Sequence, residues 1–221
     1  MKVCTYRPLI AALLTAVLAG CVPARSPEPS VRPSVPDLPT GDKSAPMPAA
    51  GTCRLGNKDG QPLPDPTCTP GAINPAVTQG TIQDTVCKPG WAKTVRPPTS
   101  VTGRMKTSSA RSYALAADQK GEYDHLVSLE LGGAPDDPRN LWVEPGPIPN
   151  PKDTVENRLN QAVCSGLVPL ATAQKAIAAD WVTAVDDVGL QVTRGHVCLH
   201  DAPTRCASGR HGDTGEQLRT G

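Results

Sequence analysis

Between Glu122 and Asn157 the chain reads E-Y-D-H-L-V-S-L-E-L-G-G-A-P-D-D-P-R-N-L-W-V-E-P and runs on to Lys152-Asp153-x-x-Glu156-Asn157. This is the one stretch that brings an imidazole, carboxylates and an amide together at spacings that chemistry can use. A neutral imidazole takes a proton from water near neutral pH, and a cation held by oxygen atoms offsets charge that develops on a phosphate. One His, one or two carboxylates and an amide are therefore a minimal set for hydrolysing a phosphodiester. Plainer readings exist for each residue. In an ideal strand Asp124 and His125 point to opposite faces, and His125 shares parity with Val127, Leu129 and Leu131, as a buried core histidine would. Asp153-x-x-Glu156 also reads as a capping box, and Asn140 as a residue that closes a turn.

The elements that must position these residues follow from composition. Leu126 to Leu131 has strand composition, Gly132 to Pro138 is dense in turn residues, and Leu141 to Val143 is a second short strand. Pro145 to Pro151 interrupts the chain. Asp153 to Ala162 then reads as a helix with Val155, Leu159 and Ala162 on one face. Flanking helices are expected from Gly103 to Gln119 and from Leu170 to Val185, with a short helix after Asn74 that ends near Thr85. Between Lys88 and Lys120 seven basic residues face Asp118 alone, whereas Gly121 to Pro138 carries Glu122, Asp124, Glu130, Asp136 and Asp137. A basic flank beside an acidic segment suits a polyanion held by its phosphates, although a solvated basic surface has the same composition.

The order strand, loop, strand, helix, with Asp124-His125, Gly132-Gly133, Asn140-Leu141 and Lys152-Asp153-x-x-Glu156-Asn157, resembles the HNH endonuclease family. The resemblance implies an α+β fold with a small ββα-metal core and flanking helices. It implies cleavage of DNA, with RNA as the second substrate. His125 stands at the family's general base, Asp124 at its first metal ligand, and Asn140 at the middle amide that either braces the loop or binds metal. No His follows before His196, so Asp153, Glu156 or Asn157 must stand for the final ligand, and oxygen ligands favour Mg²⁺, Mn²⁺ or Ca²⁺ over a soft metal, Mg²⁺ or Mn²⁺ first. Phosphate contacts are expected from Lys93, Arg96, Arg104, Lys106, Arg111 and Arg139. The alternative is an envelope protein that keeps the scaffold as a binding or structural module without turnover.

The rest of the chain reads as delivery and support. Lys2 and Arg7 precede an apolar run from Leu9 to Ala19 that is too short to span a bilayer, and Leu18-Ala19-Gly20-Cys21 resembles a lipobox. Residues 1–20 are thus expected to be a signal peptide and Cys21 the lipidated residue, which makes the membrane a partner and the cell envelope, outer membrane or surface, the location. Eight prolines between Val22 and Ala50 mark residues 21–50 as an extended tether. Residues 51–186 are the expected nuclease-like domain and 187–221 a polar, largely disordered tail. With 25 Pro, 20 Gly and no Phe in 221 residues the core is thin and needs covalent support. Six cysteines remain after Cys4 and Cys21 and read as three disulfides; six allow about 15 connectivities among which sequence does not choose, and the expected set is Cys53–Cys68, Cys87–Cys164 and Cys198–Cys206. His196-x-Cys198-x-His200 with Cys206 imitates a zinc cluster, but an exported chain favours the disulfide. The net charge of +1 names no partner, nothing in the sequence indicates a protein partner, and no Ser-His-Asp elbow, P-loop or dinucleotide fingerprint is present.

Overall fold

The computed structural model describes residues 37–116 and 119–208. The expected signal peptide, Cys21 and the first part of the tether therefore lie outside the described residues, as does the end of the tail. The elements in chain order are β1 (Gly56–Lys58), β2 (Gln61–Leu63), α1 (Trp91–Val95), α2 (Thr99–Ser112), β3 (Gly121–His125), β4 (Leu141–Pro145), α3 (Pro151–Cys164), α4 (Leu170–Ala179), α5 (Ala184–Asp187), β5 (Leu190–Thr193) and β6 (His196–Leu199). Each pair of successive strands forms its own antiparallel ribbon. The fold is α+β, built among the described residues from helices and three two-stranded ribbons. Among the described residues no helix is long and apolar enough to cross a membrane.

Two-stranded ribbons are marginal alone, so each must lean on a neighbour. The β3–β4 ribbon packs against α2 and β2, and β6 against α3. The apolar core lies between α3 and α4, where Leu159, Ala162, Val163 and Ile177 are fully buried with Leu131 and Trp142. Tyr113 closes α2 and sits 6.4 Å from the Trp142 ring, and its hydroxyl meets Thr69 Oγ1 at 2.7 Å. All three expected disulfides are formed. Cys87–Cys164 ties the segment before α1 to the end of α3 across 77 residues, the largest loop the three bonds close.

Several boundaries differ from expectation for physical reasons. The tether does not extend to residue 50 as an extended spacer. The Gly41 amide donates to Ile73 O at 2.7 Å, the Asp42 amide to Asp137 Oδ2 at 2.7 Å, and Ser112 Oγ to Pro48 O, so the chain from 37 onward is laid into the domain by backbone hydrogen bonds that need no apolar periodicity. The expected tail likewise begins as β5 and β6, locked by Cys198–Cys206, with Val197 and Ala207 buried. Cys198 is thus a disulfide half and not a zinc ligand. Leu126 to Leu131 is no strand: the strand ends at His125 and Leu129–Leu131 forms a 3-10 turn that caps on Gly132 at φ +74°. The helix expected at Gly103–Gln119 starts earlier, after Pro97-Pro98, and stops at Ser112. The expected Leu170–Val185 helix is broken after Ala179, because Asp180 is extended and accepts from the Val182 amide. Of the short helix expected between Asn74 and Thr85, only a 3-10 turn at Ile82–Asp84 is formed.

Candidate functional site

The site is built on the β3–β4 ribbon. Its register pairs Glu122 with Glu144, Tyr123 with Val143, Asp124 with Trp142 and His125 with Leu141. Because side chains alternate, Glu122, Asp124, Trp142 and Glu144 share one face, and Tyr123, His125, Leu141 and Val143 the other. The adjacent Asp124 and His125 therefore look in opposite directions from a regular strand.

On the imidazole face, His125 is 5% exposed and its Nε2 lies 2.9 Å from Pro135 O. A carbonyl only accepts, so Nε2 carries the proton and donates, which leaves Nδ1 as the basic nitrogen. Burial pushes its pKa down to about 4, with Asp124 and the Pro135 carbonyl pulling it back and the Arg96 and Lys152 charges adding to the fall. His125 is thus neutral at physiological pH. Arg96, exposed at the end of α1, is the surface cation whose field reaches it.

The loop between the strands is held by Asn140, which is fully buried. Its Oδ1 accepts from the amides of Val127 at 2.9 Å and Ala72 at 3.3 Å, and its Nδ2 donates to Val127 O and Ala134 O, both at 3.0 Å. All its capacity is spent on backbone. Gly132-Gly133 has a companion reason: a Cβ on Gly133 would stand 1.7 Å from Val127 O, inside the contact that Asn140 seals. Asn140→Ala leaves four buried backbone groups without their partner, and at about 1–3 kcal/mol for a buried orphan it is expected to lower stability by roughly 3 kcal/mol or more. Chemical denaturation of that variant reads the loss directly, and a midpoint equal to wild type would refute the bracing role.

On the carboxylate face the central group is one that motif reasoning passed over. Lys152, the second residue of α3, is completely buried, and its ammonium donates to Asp124 Oδ2 at 2.7 Å, His125 O at 2.7 Å and Glu156 Oε1. All three N–H donors are used. Burial alone lowers a lysine, but Asp124, Glu156 and Glu144 outweigh it and hold the ammonium well above its ordinary value. Asp124 is buried too, which raises it, yet Lys152 wins and the carboxyl stays below its usual value. For Glu156 burial prevails over the attraction of Lys152 and the pKa goes up. Glu144 is pushed up to about 9, first by burial and then by Asp124, with which its carboxyl is in hydrogen-bonding contact. Glu122, half-buried, goes up to about 7 through burial, then the charges of Asp124 and Asp153. Four carboxyl groups thus gather about one ammonium: Asp124 stays ionised beside it, while Glu122, Glu144 and Glu156 keep protons that solvated carboxyls would shed. The signal that could have found Lys152 is its i, i+4 relation to Glu156 at the start of a helix facing the acid strand.

The expected metal set is not assembled. Asn140 Oδ1 already accepts two amides, so the amide braces and does not ligate. Asp124 and Glu156 both face the Lys152 ammonium. Asp153 sits in the first turn of α3, whose N-cap is Asn150: the Asn150 side chain accepts from the Asp153 amide at 3.2 Å, so the capping pair is Asn150 and Asp153 and leaves Glu156 to the lysine. Among the described residues no three of His, Cys, Asp and Glu are grouped to hold a metal ion. The donor set does not fit the divalent cation that the resemblance implies.

The expected phosphate contacts also divide. Arg139 is committed to the fold, with Nη2 on Asp137 Oδ2 at 2.7 Å and on Thr40 O at 2.9 Å, because Asp137 is completely buried and needs a partner. Lys106 Nζ donates to Gly121 O at 3.1 Å and so steadies the start of β3. Lys93, Arg96, Arg104 and Arg111 are exposed on α1, just beyond it and on α2. Comparison of the chain with known protein families, with curated proteins and with solved structures finds no match.

Proposed function

We propose that this chain hydrolyses phosphodiester bonds, with DNA as first substrate and RNA as second, and that His125 is the general base. The observation that carries the reading is the imidazole at the end of β3: Nε2 is fixed by Pro135 O, Nδ1 is left basic, and Arg96 lies within electrostatic reach. In this arrangement a phosphate is held beside Arg96, with the exposed Arg104 and Arg111 of α2 drawing the rest of the polyanion to the surface, and His125 Nδ1 takes a proton from the water that attacks phosphorus as the P–O bond to the leaving oxygen breaks. The loop held by Asn140 keeps Pro135 O, and so the ring, in place. The segment β3, loop, β4, α3 follows the strand, loop, strand, helix order of the HNH-like arrangement, and the three disulfides accord with export to an oxidising compartment, where lipid on Cys21 would anchor the chain.

A second reading has its own support. With His125 95% covered and the carboxylates neutralised by Lys152, the same scaffold suits a binding or structural module that performs no chemistry. Incubation of the purified chain with supercoiled plasmid separates the two. Hydrolysis predicts time-dependent conversion to nicked circles, faster at low ionic strength. Salt-sensitive retention of plasmid with no nicking would replace the enzyme by the module.

A further inference from the structure

We infer that Lys152 is the resident cation of this centre, and that its ammonium holds the position between Asp124, Glu156 and the His125 carbonyl that a divalent ion would need. The inference deepens the hydrolase reading and takes its interest from it, but the geometry stands without turnover. The Nζ atom has the surroundings of a hard cation: two carboxylate oxygens and a backbone carbonyl, two of the three contacts at 2.7 Å, against roughly 2.3–2.6 Å for calcium and oxygen. Glu144 completes the cage. It is 2% exposed, touches Asp124, and has an Oε2 with no hydrogen-bond partner. The lysine stem rises from the first turn of α3, a rigid helix capped by Asn150 and tied at its far end by Cys87–Cys164. The ammonium is therefore a fixed part of the fold. It joins the end of β3 to α3 through the carbonyl of His125 itself, which makes Lys152 a positioning residue for the imidazole and gives it no contact with substrate.

Two consequences follow. The wild-type cluster has no place for a divalent ion, so chelators leave the folded state unaltered. Removal of the ammonium and its stem exposes an oxygen-lined hole of the charge and hardness that Ca²⁺ or a lanthanide takes. Trp142 lies opposite Asp124 in the ribbon and is completely buried, which places a sensitiser beside the hole.

The test is a titration of the full chain with Tb³⁺, read as luminescence excited through tryptophan, for wild type, Lys152→Ala and Lys152→Ala/Asp124→Asn. Saturable one-to-one binding by Lys152→Ala is expected where wild type shows none, and it should be lost in the double variant. Should Lys152→Ala be unfolded alone, millimolar Ca²⁺ should restore its folded near-UV dichroism. Saturable Tb³⁺ binding by wild type that Asp124→Asn abolishes would overturn the inference, because the ion would then displace the ammonium. A Lys152→Ala chain that neither binds Tb³⁺ nor refolds with Ca²⁺ would overturn it as well. Neither result depends on nicking, so failure of the inference and failure of the hydrolase reading are separately visible.

Discussion

Lys152→Met is expected to lower the free energy of unfolding by about 3–5 kcal/mol, the range seen when one partner of a buried charge pair is removed. Methionine keeps most of the stem's volume, so the loss reports the ammonium and not a cavity. Without it Asp124 and Glu156 face each other and Glu144 in a dry site, and the His125 carbonyl loses a donor. The cluster's remaining recourse is to take up protons. In the variant the folded-state carboxyl pKa values then stand above their unfolded values, so stability is retained in acid and drains away as pH rises. The deficit relative to wild type should accordingly be small near pH 4 and widest above neutrality. Urea denaturation across that range measures it. A deficit of about 1 kcal/mol or less at neutral pH, the size of an exposed ion pair, would mean the ammonium is not the keystone of the cluster.

Glu144→Gln is expected to stabilise the protein on the alkaline side. The folded carboxyl titrates at about 9 against an ordinary 4.5. Between those values the unfolded chain has released a proton that the native state still holds, so this group's contribution is complete below pH 4.5 and is lost as pH rises through 9. The slope is at most about 1.4 kcal/mol for each pH unit crossed. A glutamine has no proton to lose and preserves the shape. His125 acts in the opposite sense: its folded pKa of about 4 lies below its ordinary 6.5, so its contribution is present above 6.5 and lost as pH falls toward 4. Wild type should therefore be most stable in mildly acidic solution, and its Tm should fall between about pH 6 and 9, while that of Glu144→Gln should fall less steeply, the remaining slope coming from Glu122 and Glu156, which also hold protons above the ordinary range. Parallel Tm curves for the two proteins would show that Glu144 ionises normally.

How legible this was in the sequence depends on the kind of signal. The disulfide pairs could be guessed because two are local and the third joins segments flanking the chemically dense stretch. Asn140 and Gly132-Gly133 could be located but not assigned, since whether an amide braces or ligates depends on which backbone groups arrive from Ala72, Val127 and Ala134. The parity of Asp124 and His125 correctly put the two side chains on opposite faces. Strand boundaries were misplaced because Leu126–Leu131 is apolar for burial, not for pairing. The lysine was missed because two of its three partners come from the end of β3, which only the fold brings to the first turn of α3, and metal-ligand spacing points to carboxylates and not to a cation already among them. Residues 37–50 are held through their own backbone groups, which meet Ile73 and the side chains of Ser112, Asp137 and Arg139, so no side-chain pattern within the segment encodes the contact.

The most direct test of the proposed chemistry is the rate at which His125→Ala nicks supercoiled plasmid, compared with wild type at matched fold by circular dichroism. A general base contributes about 10²–10⁴ in rate, and the variant is predicted to fall by that factor while retaining salt-sensitive DNA binding through Arg96, Arg104 and Arg111. Nicking by His125→Ala at the wild-type rate would contradict the assignment of His125 as the base.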